Sequence, residues 1–328
     1  MKALANISSH QKSFRKFPVN LRPHDEWIFK NEKSYEINAK RLLKVPLVIF
    51  DHNGMTKKIS FNPQYLDGSE QSFSGRNLLM MLVKFKIRVY WSGTIAIHKW
   101  HDQYFHWITE ILPKLFTLEN EGNNVLLIPA ELQKFQQEGL SILNINVKTF
   151  SRHFYHFGIN IKYMEPFASP GNYNESILQK FRKAFFVKMN LHYTPNSKKI
   201  AFVSRKKIGT RDIQNEDELF NMVKEFDGDK IVFENSSWLE QVKLINTYSI
   251  IIGFHGAGLV NMVFMPDKTK VLEIRDQFDD KNNCYFSLAS AFNFDYYYCL
   301  ATKVENEKWE VPKVEFKKVL EQIQNCAH

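Results

Sequence analysis

The sequence predicts an α/β protein of two domains, each a mostly parallel sheet wound with helices, facing each other across a cleft. Three observations predict it. The chain has 328 residues, more than one typical core needs. Short apolar runs alternate with amphipathic segments every ~20–30 residues, the period of βα units. That alternation is most regular after a polar break, "NLHYTPNSKK" at 190–199. The expected boundaries are an N-terminal domain at 1–190, a C-terminal domain at 191–305, and a terminal segment at 306–328 that packs back on the N-terminal domain.

The elements follow in order. The first forty residues are polar and basic, with weak periodicity. "VPLVIF" (45–50) is a buried strand ending at the turn "DHNG". "LLMMLVKFKIRVYW" (78–91) reads as a helix and then a strand. "NVLLIPA" (124–130) and "FGINIKYM" (157–164) are strands, and a helix is expected over 131–143. A longer helix covers about 175–189. Past the break, "IAFVS" is a strand and "NEDELFNMVKEF" a helix, with Asn215 as N-cap and Glu218 three residues on. "KIVFE" is the next strand, and Ser237 and Glu240 stand in capping-box positions for the helix that follows. "SIIIGF", "KVLEI" and "YYYCL" complete the strands, with a helix at "YFSLASAF" and a last one at "VEFKKVLEQIQNCAH".

Composition narrows the partners. The net charge is +9, so the surface attracts anions, and nucleic acid, anionic lipid and sugar nucleotides all qualify. No basic helix or RNP-like aromatic motif supports nucleic acid. Cys284, Cys299 and Cys326 form no CxxC pair, which argues against a disulfide framework or structural zinc and fits a reducing compartment. No signal-peptide h-region and no run of ~18 apolar residues is present. The expectation is a cytoplasmic protein, with a peripheral contact to the inner face of a membrane through its basic surface.

Chemistry concentrates in four places. In "IIGFHGAGLVN", Gly253, Gly256 and Gly258 stand where a strand gives way to a helix. Backbone N–H groups there can approach a phosphate closely. The spacing is neither GxGxxG nor a P-loop, so glycines for tight packing remain the competing reading. His255, a polar ring in an apolar turn, is read as facing a ligand or as a core histidine. "FVSRKK" puts Ser204 and Arg205 at a strand's carboxyl end, and arginine suits bidentate contact with a diphosphate. Glu273 ends another strand, placed to accept ribose hydroxyls or to cap a helix. In "HKWHDQYFHWITEILPKL", His106 and Glu110 lie at i and i+4 on one helical face, as a base with its orienting partner, a metal pair, or a surface hydrogen bond. A zinc site of His98, His101 and His106 is disfavoured by its spacing and the lack of cysteine. "DGD" (227–229) matches a manganese-holding DxD signature, but a helix-to-strand turn explains it fully.

"QYFHWITEILPKL", "FVSRKK…NEDEL", "EQVKLINTYSIIIGFHGAGLVNMVFM" and "VLEI" resemble the motifs of glycosyltransferase family 61 over roughly residues 98–300. Lys114 stands where that family often has arginine, and Phe254 where proline is common. The resemblance implies a GT-B architecture of two Rossmann-like domains. It also implies inverting transfer of a sugar from a nucleotide-sugar donor, UDP the expected carrier, to a hydroxyl of a glycan acceptor in cell-surface or capsular polysaccharide biosynthesis. Carried over by position, Ser204, Arg205, His255, Gly256, Ala257 and Gly258 hold the donor diphosphate, and Asn261 and Glu273 lie near the nucleotide or sugar. Glu110, then His106, is the expected base. No metal or other cofactor is implied. The alternative is a non-catalytic nucleotide-sugar or glycan-binding protein of the same fold.

Overall fold

The computed structural model describes residues 2–51, 54–55, 87–120, 125–191, 198–205, 213–304 and 308–325. The strands in chain order are β1 (Lys2–Ser8), β2 (Gln11–Phe14), β3 (Ser34–Ile37), β4 (Lys40–Asp51), β5 (Gly54–Met55), β6 (Ile87–Tyr90) and β7 (Gly93–Ile95). They continue as β8 (Leu126–Pro129), β9 (Val147–Phe150), β10 (Tyr155–Met164), β11 (Ile200–Val203), β12 (Gly228–Ile231), β13 (Ile250–Phe254), β14 (Lys270–Asp276), β15 (Asp295–Lys303) and β16 (Trp309–Glu310). The helix expected from Leu78 lies outside the described residues, and the strand expected after it is β6.

The chain forms two compact units. The first, residues 1–11 and 36–169, holds an eight-stranded sheet of order β1-β4-β10-β7-β8-β9, with β5 on β4 and β6 on β10. β10 runs antiparallel to β4, whereas β7, β8 and β9 pair in parallel. All four residues of β8 are buried, the continuous apolar run of a strand covered on both faces.

The second unit holds a sheet of order β12-β11-β13-β14-β15-β16, parallel except for β16. Ile200, Phe202, Ile252, Leu272 and Tyr297 point to one face and join Leu219, Val223, Phe316 and Leu320 in a single core. Phe185, Trp238 and Phe264 form a ring cluster elsewhere in this unit, two pairs tilted and Trp238–Phe264 edge to face, with centroids 4.9–5.6 Å apart.

The units divide the chain at other places than residue 190. Helix Glu175–Met189 belongs to the second unit, where Arg182 donates to the Val263 carbonyl at 3.0 Å. The terminal helix Lys313–Asn325 also belongs there, because Phe316, Val319, Leu320 and Ile323 complete that core. Residues 12–35 return to the same unit, because β15 would otherwise expose an unpaired edge. β16 reaches only Thr302 and Lys303. Further back along β15, the Val19 N–H donates to the Tyr296 carbonyl at 2.9 Å. The Asn20 side chain brackets the Tyr298 peptide at 2.8 and 3.1 Å.

Two local expectations meet different outcomes. Ser237 and Glu240 form the capping box that their spacing predicts. Asn215 does not cap with its side chain; its amide pairs instead with the Val311 backbone at 2.8 and 3.2 Å. A tertiary partner with both a donor and an acceptor satisfies the whole amide, which a cap does not.

Candidate functional site

Within the second sheet, β11 is followed outward by β12 and then, on its other side, by β13. The winding direction reverses between β11 and β13, and doubly wound sheets bind ligands outside the carboxyl ends at such a point. Ser204 and Arg205 follow β11 there, and His255 and Gly256 follow β13. Glu216, the first residue of helix Glu216–Lys224, is buried and gathers the loop. It accepts from the Ser204 hydroxyl at 2.7 Å and the Arg205 N–H at 3.2 Å, and pairs with Lys230 at 2.8 Å.

The Arg205 guanidinium crosses to the other strand. Its Nη1 donates to the His255 carbonyl at 3.3 Å. It lies so close over Gly256 that a Cβ there would stand 1.6 Å from Nη1. Gly258 does a different job: its Cβ would meet Val203 Cγ1 at 2.8 Å, so this glycine lets the turn pack on β11. The glycines thus divide between an arginine seat and a packing contact. Ala257, exposed, opens the 3-10 helix Ala257–Phe264, and Asn261 is buried one turn on. The N–H groups of a first helical turn lack intrahelical acceptors and suit an anion.

His255 is held from two sides. Its N–H donates to the Ile274 carbonyl at 2.8 Å, and its ring meets Tyr285 edge to face at 4.9 Å. Its Nδ1 lies 2.5 Å from Glu273 Oε1. Glu273 is fully buried, and its Oε2 accepts from the Tyr296 hydroxyl at 2.5 Å. Burial pushes the Glu273 carboxyl up, but the adjacent His255 outweighs it and holds the group below the usual range. Burial and the Glu273 charge push the Tyr296 phenol well above its ordinary value. Both Glu273 oxygens therefore serve protein partners, and the carboxylate stands behind His255.

The second cluster belongs to the first unit. Ala96 and Ile97, both buried, carry the chain from β7 to His98. The loop after it is tied down by Gln136 to the His101 carbonyl at 2.8 Å and Gln133 to the Asp102 carbonyl at 2.9 Å. The same two glutamines form the capping box of helix Lys134–Leu143. A helix then opens at Tyr104–His106, widens into a π turn over Trp107–Ile111, and continues as Leu112–Asn120. Pro113 accounts for the widening: it has no N–H, and its ring would press on the carbonyl four residues back in a regular helix.

Glu110 sits in the widened turn between two histidines. Its Oε2 lies 2.9 Å from His98 Nε2, and its Oε1 lies 3.1 Å from His106 Nδ1. Burial alone would raise the Glu110 carboxyl; His106 and His98 outweigh it and bring it down to about 2. Burial lowers His98, with a smaller push from Lys114, so that ring is neutral at pH 7. The Trp100 indole stacks on His106, with centroids 5.1 Å apart and planes 16° from parallel.

Among the described residues, His98, His106 and Glu110 bring their ligand atoms within 4.8 Å of one another, close enough for a metal ion. The Trp100 backbone N–H donates to His98 Nδ1 at 3.3 Å, which leaves the ring proton on Nε2, facing Glu110. Among the described residues His98 Nε2, His106 Nδ1 and Glu110 Oε1 are nevertheless buried without a well-aligned hydrogen bond. A metal-bound histidine donates through its other nitrogen, whereas His98 accepts there. His101, the third histidine of the run, turns its Nδ1 to the His98 carbonyl at 3.1 Å.

The structure thus brings His106 and Glu110 together in one unit, and Ser204, Arg205, His255, Gly256 and Gly258 together at one sheet edge of the other. Sequence reasoning did not assign His98, Trp100, Glu216 or Tyr296. The histidine run was a visible signal for His98. Nothing in the local pattern distinguishes Glu216 or Tyr296 from ordinary helix and strand residues.

A doubly wound sheet that seats an arginine, a histidine and a glycine turn at its switch point has the features of a protein that binds a phosphorylated ligand. Comparison with known proteins gives the family: the glycosyltransferase 61 description matches residues 104–272, just over half of the chain. The chain belongs to that family. It is 28% identical over 121 residues to the EGF domain-specific O-linked N-acetylglucosamine transferase of Drosophila melanogaster, covering 35% of this chain and 23% of that protein. The enzyme of that name from Mus musculus is 33% identical over 84 residues, which are 24% of this chain and 16% of the relative. An α-1,3-arabinosyltransferase (XAT3) of Oryza sativa subsp. japonica is 25% identical over 196 residues, which are 52% and 34% of the two chains. The matched segments span between a sixth and a third of these relatives' lengths.

Proposed function

We propose that the chain is an inverting, metal-independent glycosyltransferase moving a sugar from a UDP-linked donor to a hydroxyl of a glycan acceptor. The observation that carries the reading is the Arg205 guanidinium seated on Gly256 beside His255, outside the carboxyl ends of β11 and β13. In this reading Arg205, His255 and the first-turn amides after Gly256 receive the donor diphosphate, as electrostatic stabilisers of the leaving group. His106 or Glu110 takes the acceptor proton. Two histidines hold the Glu110 carboxyl down to about 2, which makes it a weak base. The cluster therefore favours His106 as the proton acceptor through Nε2, with Glu110 orienting its Nδ1–H. The acceptor oxygen attacks the anomeric carbon as its proton passes to His106. The bond from that carbon to the β-phosphate oxygen breaks, and its electron pair leaves on the nucleoside diphosphate.

A cell-surface or capsular polysaccharide is the proposed setting, with the protein in the cytoplasm at the inner face of the membrane. The net charge of +9 supports contact with anionic lipid. Among the described residues no helix is long and apolar enough to cross a membrane.

A thermal-shift screen of UDP, GDP and their sugar conjugates tests the reading, since a ligand bound only to the native state stabilises it by RT ln(1 + [L]/Kd). UDP should stabilise the wild type and lose its effect in Arg205→Ala. Absence of any nucleotide response sinks the proposal. A nucleotide sugar that binds but is neither hydrolysed nor transferred leaves the alternative, a non-catalytic binder of the same fold.

A further inference from the structure

The pair behind His255 has a consequence for how the anion site is charged. Tyr296 is neutral and its hydroxyl donates to Glu273. Against burial, His255, Arg275 and that hydrogen bond hold the Glu273 carboxyl below the usual range, so it is an ionised carboxylate at pH 7. An ionised carboxylate 2.5 Å from His255 Nδ1 can only accept, so the Nδ1 proton is fixed. The variable proton is then on Nε2. A diphosphate oxygen is also only an acceptor, and a bare Nε2 would repel it.

We propose that Glu273, backed by Tyr296, is a positioning residue that lets His255 bind a nucleoside diphosphate as an imidazolium, so that donor binding takes up a proton. The proposal rests on the donor-site reading above. Among the described residues, the charged and titratable groups near His255 act as follows. From β14, Glu273 favours the cation and the buried Arg275 opposes it. From β15, Tyr296 drains negative charge from Glu273 and so weakens its hold. After β11, the Arg205 guanidinium at the His255 carbonyl also opposes the cation. Cys284 and Tyr285, from helix Cys284–Ala291, are a thiol kept neutral by burial and an edge-on ring. Among the described residues, Arg205 and Arg275 oppose the charge that Glu273 favours. The negative charge of an incoming diphosphate, about two units on a nucleotide sugar and about three on free UDP or GDP above pH 7, favours the imidazolium.

Calorimetry with UDP and GDP at pH 8, in buffers of different ionisation enthalpy, reads the proton directly. At that pH the terminal phosphate, with a second pKa of about 6, is already ionised, so uptake belongs to the protein. Wild type should take up a fraction of a proton, and its affinity should fall by up to about tenfold per pH unit above the midpoint. His255→Gln should abolish the uptake. Glu273→Gln should move the midpoint down by about 1–3 pH units, and Tyr296→Phe should move it up. Opposite signs are not what two packing defects produce. If Glu273→Gln does not fold by circular dichroism, Tyr296→Phe alone carries the test. Binding with no proton uptake, or a Tyr296→Phe midpoint that stays or falls, overturns the inference and leaves the donor site standing. A wild type that binds neither nucleotide overturns the donor reading itself.

Discussion

Gly256→Ala separates the two uses of the glycines in the turn. The backbone at Gly256 is extended, with φ 165° and ψ 171°, and an alanine adopts it without strain. The added methyl would stand 1.6 Å from Arg205 Nη1 and 2.9 Å from its Cζ. Only the mobile end of a side chain has to move, so the fold should tolerate the change. The guanidinium must vacate its seat and give up its 3.3 Å bond to the His255 carbonyl. The displaced guanidinium also loses its charge-assisted contact with the bound diphosphate, worth about 1.5–3 kcal/mol, so UDP affinity should fall about 10- to 150-fold. Titration calorimetry measures the loss, and urea denaturation should show stability within about 1 kcal/mol of wild type. A double-mutant cycle completes the test. In an Arg205→Ala background, Gly256→Ala should add little, because both changes remove one interaction. Wild-type UDP affinity in Gly256→Ala would refute the arginine seat, and full additivity would refute the coupling.

Gly258→Ala should behave in the opposite way, because its methyl would stand 2.8 Å from Val203 Cγ1 in the packed interior. It should cost about 1–3 kcal/mol in urea denaturation, with nucleotide affinity changing less than in Gly256→Ala. Glu216→Ala removes the acceptor shared by Ser204, Arg205 and Lys230, and should cost about 3–5 kcal/mol by the same measurement; a cost under 1 kcal/mol would contradict the network. His106→Ala should lower kcat about 10²- to 10⁴-fold with UDP affinity unchanged, and unchanged turnover would remove it as the base. Glu110 titrates at about 2 in the native state, below its value in an unfolded chain, so its contribution is complete above about pH 4.5 and lost as pH falls toward 2. Wild type should therefore lose more stability than Glu110→Gln across that acid window in pH-dependent unfolding. Turnover should survive EDTA; loss restored by Mn²⁺ would show that the His98–Glu110–His106 cluster holds a metal.

Much of the second unit was legible because its signals are local. "IAFV", "SIIIGF" and "KVLEI" are uninterrupted apolar runs, which a strand covered on both faces requires, and all three are strands. Ser237 and Glu240 cap as their spacing says, since a capping box involves only residues three apart. Less was legible in the first unit, where β4 and β10 pair across more than a hundred residues of chain and no spacing encodes their register. The return of residues 12–35 to the second unit is more remote still: the reason for it is an open edge on β15, where Asn20 and Tyr298 are 278 residues apart in the numbering. Asn215 was read as a cap because its own neighbourhood offers nothing better, yet Val311 satisfies both ends of its amide.

The sequence by itself determined that this is an α/β chain of the glycosyltransferase 61 family, with His106 and Glu110 one turn apart and a glycine-spaced turn after an apolar strand. Periodicity and motif spacing are properties of neighbouring residues, and a linear reading reaches them. Only the tertiary structure decided what each polar group touches. It put the Arg205 guanidinium over Gly256, fifty-one positions along the chain, and joined Glu273 to His255 and Tyr296. It also added His98 to the His106–Glu110 pair and set the ring nitrogen that carries its proton. Burial, hydrogen-bond direction and the sharing of a carboxylate among several donors arise where separate strands and helices meet.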